Sequence, residues 1–225
     1  METIWSNMLF GIILTILTYQ AGIWINQKVK SPLANPLLLS IIFCVIIMKL
    51  LHISYDDYME GGRVINMLIG PATAVIGLSV FRQRKVLQKE FVPIIAGSLG
   101  ACICSMGSVW ILGNLLGLDK TMTVSMFPKS VTTAIALDVS VQLNGMKAIT
   151  LMAVIMTGVL GSVICPALVR LLHLKDPVAT GVAMGSTSHA AGTARAMEMG
   201  EIQGAVSGVC IGVAGLLTAL IAVFL

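Results

Sequence analysis

Ala183–Ala205 reads AMGSTSHAAGTARAMEMGEIQGA and lies between two long apolar runs. Small residues (Gly185, Ala190, Ala191, Gly192, Ala194) alternate with Ser186, Thr187, Ser188, His189, Thr193, Arg195, Glu198 and Glu201. A lipid-facing helix does not carry such a load, because each unpaired polar group in hydrocarbon costs several kcal/mol. A solvent loop does not need so many alanines and glycines. What remains is a helix, whole or broken, buried against other helices or lining a wet cavity at membrane depth.

The rest of the chain agrees with a membrane setting. Of 225 residues, 57% are hydrophobic and 11% charged, and the mean hydropathy is +0.96. Soluble domains carry about a quarter charged residues. The formal net charge of +4 comes mainly from short loops, where it carries topology information and does not indicate a nucleic-acid partner. No basic region precedes the first apolar run and no small-residue cleavage site follows it, so no removed signal peptide is expected. The five cysteines, Cys44, Cys102, Cys104, Cys165 and Cys210, all fall in apolar runs. They read as small buried hydrophobes, with neither a disulfide framework nor a metal site expected.

A membrane-crossing helix needs about 20 apolar residues. Met8 to Ile25 meets this, with Trp5 and Trp24 as interfacial anchors. Ser31-Pro32 and Asn35-Pro36 open a second span that runs to about Leu51, with Lys49 placed to snorkel. An acidic loop is expected over His52 to Arg63. The third span, Arg63 to Phe81, is expected to kink or break at Gly70-Pro71-Ala72-Thr73, since proline removes a backbone bond and clashes with the preceding turn. A basic loop, Arg82 to Lys89, leads into a span from Phe91 to Leu116. Thr121 to Asn144 is less hydrophobic and holds Pro128, Lys129 and Asp138. Spans from Lys147 to Leu172, Val178 to Met199 and Ala205 to Leu225 complete the chain.

The second half echoes the first. A shift of 115 residues lays Gly70 on Gly185, Gly97 on Gly212 and Gly100 on Gly215. Paired interrupted segments in two halves point to a transporter built from repeats. Placing the basic loops at Lys28 and at Arg82 to Lys89 in the cytoplasm leaves the N-terminus outside. Keeping Arg170 and Lys175 inside as well requires that Thr121 to Asn144 enter without crossing. The expected fold is therefore an all-α polytopic membrane protein, one membrane domain over residues 1–225. It has about seven transmembrane helices plus a broken or re-entrant segment, arranged as two inverted repeats, 1–117 and 118–225.

Two stretches hold the residues that bear chemistry. In FPKSVTTAIALDVS (Phe127–Ser140), Lys129, Thr132 and Thr133 would share one face of a helix. A lysine, or the N-terminus of a half-helix, suits a carboxylate; a membrane-edge helix start is the plainer reading. In the central stretch, Ser188, Gly192 and Arg195 form one stripe, with His189 beside it. Arg195 and Glu198, three apart, can pair within the helix, for structure alone or for function. His189 has the unperturbed pKa of a proton carrier; a packing histidine bonded to a carbonyl is the other reading. His52 and His173 are loop residues with no assigned role. No Gly-rich phosphate loop, His-Glu-x-x-His or Ser–His–acid set occurs, so no enzyme activity is expected. Ser188 and His189 are adjacent and do not face each other on a helix.

At these residues the chain resembles the CidB/LrgB family of bacterial membrane proteins. The matching text is Asn35-Pro36-Leu37-Leu38, Gly70-Pro71-Ala72-Thr73 with Arg82-Gln83, Pro128-Lys129-Ser130-Val131-Thr132-Thr133, and Ser188-His189-Ala190-Ala191-Gly192-Thr193-Ala194-Arg195 with Glu198 and Gly204-Ala205. Ala134 departs from the family, which usually has proline there. The resemblance implies a multi-pass protein of the bacterial inner membrane, with two functional readings. One is transport of small monocarboxylates such as pyruvate, glycolate or glycerate. The other is an antiholin- or holin-like role, modulating murein hydrolase activity and autolysis with a CidA/LrgA-type membrane partner. Transport fits the unique, buried polar motifs better. The expected substrate-binding residues are Lys129, Ser130, Thr132, Thr133, Ser188, His189, Thr193 and Arg195, with His189, Glu198 and Asp138 as candidates for proton coupling. The two motifs are expected to meet near the bilayer midplane and to enclose the only sizeable polar cavity. A homodimer is the expected assembly, with no cofactor.

Overall fold

The computed structural model describes residues 5, 7–29 and 36–225, apart from the side chain of Thr73. Ser31-Pro32, Asn35 and the basic residue Lys30 lie outside the described residues. Among those described there are helices and no strands: α1 (Met8–Val29), α2 (Pro36–Leu50), α3 (Tyr55–Met67), α4 (Ile69–Arg82), α5 (Arg84–Lys89), α6 (Phe91–Leu115), α7 (Lys120–Met126), α8 (Thr133–Gln142), α9 (Lys147–Leu171), α10 (Pro177–Met199) and α11 (Glu201–Ala222). Five stretches are long and apolar enough to cross a membrane: α1, α3 with α4, α6, α9 and α11. The chain divides into two compact units, Met1–Val75 and Ile76–Leu225.

In the first unit, α1 packs on α2 and α3 through small residues. A side chain on Gly11 would meet the Tyr58 carbonyl oxygen at 2.5 Å, and one on Gly22 would meet that of Pro36 at 2.6 Å. Hydroxyls bridge the same seams, Thr15 to Tyr58 at 2.9 Å and Thr18 to Ser40 at 3.0 Å. Lys28 lies over the Trp24 ring, 3.7 Å from its centre. The expected acidic loop is instead the start of α3, where the Ser54 hydroxyl accepts from the Asp57 N–H and Asp56 and Asp57 occupy the first turn. A capping serine and first-turn acids satisfy the free N–H groups and the dipole, which outweighs the polarity that reads as loop. The helix then breaks at Leu68, just ahead of Gly70-Pro71.

The second unit is inside out relative to a soluble core. On α6 the buried positions are Ile94, Ser98, Cys102, Met106, Val109 and Gly113, while Ile103, Trp110, Ile111 and Leu112 are exposed. Lipid solvates aliphatics as well as protein does, so packing and hydrogen bonds select small and polar residues for the seams. Ser98 meets Ser186 at 3.1 Å, Thr193 meets Ser207 at 2.7 Å, and Gly185 lies against Ser207 and Cys210. Among the described residues, no buried side-chain nitrogen or oxygen lacks a partner. Cys102 and Cys210 are buried, as read from their apolar surroundings, but Cys104 is exposed and Cys44 and Cys165 are intermediate. The expected basic loop, Arg82 to Lys89, is also largely helical, as the end of α4 and α5.

Two interruptions shape this unit. Thr121 to Asn144 is α7, a non-helical stretch and α8; the two helices are about 10 and 15 Å long, too short to cross a bilayer singly. Within α10, His189 takes φ 40 and ψ −132, a left-handed conformation that a non-glycine residue adopts only when its surroundings hold it.

A candidate binding cavity at two helix breaks

Asp119 caps α7, accepting from the N–H groups of Thr121 and Met122. Pro128 cannot continue that helix, having no N–H and a ring that crowds the preceding turn. The chain therefore turns through Phe127–Val131 and restarts at Thr132, whose φ of −63 and ψ of 149 make it the N-cap of α8. The restart occurs with Ala134 in its first turn, so a proline at that position is not needed for the break.

Lys129 sits in the turn, not on the face of a helix with Thr132 and Thr133. Its Nζ donates to Ser105 Oγ at 2.6 Å and to the Ser105 carbonyl oxygen at 3.3 Å. Ser105 Oγ also lies 2.9 Å from Ser130 Oγ. Among the described residues, no carboxylate lies within ion-pair distance of Lys129. This group opens onto a mainly aliphatic cavity of about 720 Å³, whose wall includes Ser108, Thr157, Gly161, Thr187 and Ser188 together with Leu160, Ile164 and Leu168.

Ser188 reaches the cavity because α9 has no side chain at Gly161; a Cβ there would run into the Ser188 hydroxyl. Gly158 performs the same service for His189, whose ring would meet a Cβ there at 2.5 Å. The buried imidazole donates from Nε2 to the Val154 carbonyl oxygen at 3.0 Å, the geometry of the packing reading. Thr187 bonds back to the Ala183 carbonyl oxygen at 2.6 Å and lies 3.1 Å from the Ser188 hydroxyl.

The structure thus brings Lys129, Ser130 and Ser188 to one cavity and distributes the other candidates around it. Thr132 occupies the N-cap position of α8 without a side-chain capping bond, and Thr133 is exposed in its first turn. Thr193 is buried against Ser207 on α11. Arg195 pairs with Glu198, both on the partly exposed face of α10, and Asp138 is exposed on α8. Ser105, Ser108, Thr157 and Thr187 are not among the binding residues expected from the sequence. The legible signal for the first two was a pair of hydroxyls, three apart, in an otherwise apolar span.

Residues of both motifs line this cavity, but it is mainly aliphatic and is not the only one. A second, of about 540 Å³, is lined by Trp110, Asn114, Lys120, Thr123, Phe127, Gln142 and Asn144. The outer ends of α7 and α8 converge on it, so the segment enters and leaves at the same end of α6.

Comparison with known proteins matches the LrgB-like family over residues 15–225. The chain is 33% identical to the uncharacterized protein YxaC of Bacillus subtilis (strain 168) over 88% of its length and 86% of that protein. It is 32% identical to the antiholin-like protein LrgB of the same strain, over 94% of its length and 92% of the relative. To the antiholin-like protein LrgB of Bacillus mycoides (strain KBAB4) it is 30% identical, over 94% and 93%. No solved structure matches.

Proposed function

Given that the chain belongs to the LrgB-like family of membrane proteins, we propose that it carries small monocarboxylates across the bacterial inner membrane through the cavity at Lys129. The observation that carries this reading is a lysine held by Ser105, itself bonded to Ser130, without a carboxylate partner among the described residues, on the wall of a mainly aliphatic cavity. A small organic acid pairs a charged head with an apolar skeleton in the same way. Lys129 and the hydroxyls of Ser130 and Ser188 bind the carboxylate, and the aliphatic wall of α9 takes the carbon skeleton. The first-turn N–H groups of α8 begin four residues after Lys129 and favour negative charge nearby.

In this reading α1, α2, α3 with α4, α6, α9 and α11 cross the membrane, six crossings where seven are expected from the sequence. Helices α7 and α8 form one re-entrant pair, and α10 forms another because it turns back at His189 and lays Gly185 and Thr193 against the same residue, Ser207 of α11. The halves 1–117 and 118–225 are inverted repeats of one membrane domain. The basic residues at Lys28 and Arg82 to Lys89 face the cytoplasm. Thr132, Thr133, Thr193 and Arg195 complete the site when the helices shift, with coupling to protons through His189, Glu198 and Asp138, and the protein works as a homodimer.

The second reading is an antiholin-like role with a CidA/LrgA-type membrane partner, favoured by the names that the relatives carry. Purified protein in liposomes separates the two. Uptake of labelled pyruvate, glycolate or glycerate without release of a trapped dye supports transport. Dye release, or the absence of uptake with and without the partner, rejects it.

A further inference from the structure

The two cavities lie in series along α6. Ser105 and Ser108 line the larger one, Trp110 and Asn114 the smaller, and Asn114 is about 14 Å beyond Ser105 at 1.5 Å per residue. The turn between α7 and α8 stands at the junction. Phe127 lines the smaller cavity, while Lys129 and Ser130 line the larger. The Phe127 ring is buried with Met106 and Val109, with Leu143 and Ile221 packed against them, and Pro128 beside it is fully buried. The mixed smaller chamber and the mainly aliphatic larger one are thus divided by one aromatic ring and one proline.

We propose that the smaller cavity is the outer vestibule of the permeation path and that Phe127 is the septum closing it from the Lys129 chamber. This rests on the transport reading for its cargo and on the orientation above for its sidedness. Asn114, Gln142 and Asn144 offer hydrogen bonds, and Lys120 a charge, to an anion arriving from outside. It reaches Lys129 only when the tip of the α7–α8 pair moves Phe127 aside. The state described here is closed at Phe127 and has its larger chamber extending toward Leu172 and Leu174, beyond the cytoplasmic end of α9.

Thiol accessibility tests this without needing transport. The probe is a membrane-impermeant maleimide on intact cells and on inside-out vesicles. In the background, Cys44, Cys104 and Cys165 are alanine and the buried Cys102 and Cys210 are retained. Asn114→Cys is expected to label from outside only and Thr157→Cys from the cytoplasmic side only. Adding Phe127→Ala to Thr157→Cys is expected to change it from unreactive to reactive from outside. If that protein does not accumulate, Phe127→Leu carries the same test with slower labelling. Labelling of both positions from the same side, or no external reaction of Thr157→Cys in either Phe127 variant, overturns the septum. Opposite-sided labelling and opening by Phe127→Ala, without carboxylate uptake, keep the two-chamber path and reject the transport reading. Uptake with same-sided labelling does the reverse.

Discussion

Lys129 Nζ lies 2.6 Å from Ser105 Oγ, joining the turn between α7 and α8 to the middle of α6. The contact anchors the cation without neutralising it, since serine contributes a dipole and no charge. A lysine so placed attracts anions from the cavity and is aimed by its partner.

The first prediction follows from this pair. Lys129→Gln removes the charge but keeps a donor, and is expected to abolish carboxylate uptake or raise its apparent KM. Charge-assisted hydrogen bonds are worth about 1.5–3 kcal/mol, or roughly 10- to 100-fold in affinity. Uptake kinetics in proteoliposomes give the answer, and an unchanged KM would remove Lys129 from the site. Ser105→Ala should have a smaller effect, because Ser130 remains close by.

Gly161→Val is expected to displace Ser188 and to lower both uptake and thermal stability. Forcing extra carbon into a tight seam typically costs about 1–3 kcal/mol, and here the colliding atoms are the Ser188 hydroxyl and its Cβ. A melting curve of the protein in detergent, beside one for Gly212→Val, gives the comparison. Gly212 faces open space, so its substitution should be mild.

Thr193→Val and Ser207→Ala test the α10–α11 seam, where the two hydroxyls lie 2.7 Å apart. Interhelical hydrogen bonds in membranes average about 0.6 kcal/mol. A double-mutant cycle on unfolding should return a coupling of that order. A coupling of several kcal/mol would show that the pair is part of a larger network.

His189→Gln retains a side-chain donor for the Val154 carbonyl oxygen but cannot carry a proton. Substrate exchange is expected to survive, while uptake driven by an imposed pH gradient is lost. Normal pH-driven uptake would leave His189 with packing alone.

Arg195 and Glu198 form a pair on a partly exposed face of α10. Exposed ion pairs contribute about 0–1 kcal/mol, so Glu198→Gln should leave the melting temperature nearly unchanged. Arg195→Lys keeps charge and loses the guanidinium fork. A large rise in the KM for the carboxylate would place Arg195 at the substrate in a conformation other than this one. An unchanged KM would assign it to the pair alone.

What the linear chain determined is the solvent and the punctuation. A mean hydropathy of +0.96 and runs of 20 or so apolar residues leave few alternatives to membrane helices. Pro128 makes a break there legible, because a missing N–H and a ring clash are local properties. The polar load of Ala183–Ala205 marks a buried helix for an equally local reason, the cost of an unpaired group in hydrocarbon. The acidic stretch at α3 misled as a loop, since the Ser54 cap converts polarity into a helix start; the basic stretch at α5 is helical without a side-chain cap.

Tertiary structure decided which of these groups face one another. Ser188 and Arg195 sit seven apart and would share a stripe on an unbroken helix; the left-handed turn at His189 lies between them, and only Ser188 lines the cavity. Lys129 finds its partner 24 residues back, on Ser105, a pairing that no spacing announces. Gly158 and Gly161 matter through what lies opposite, the imidazole and the hydroxyl that would otherwise collide with α9. Periodicity reports which side of a helix is crowded. Only the packing of α6, α9 and α10 around the turn reports what crowds it.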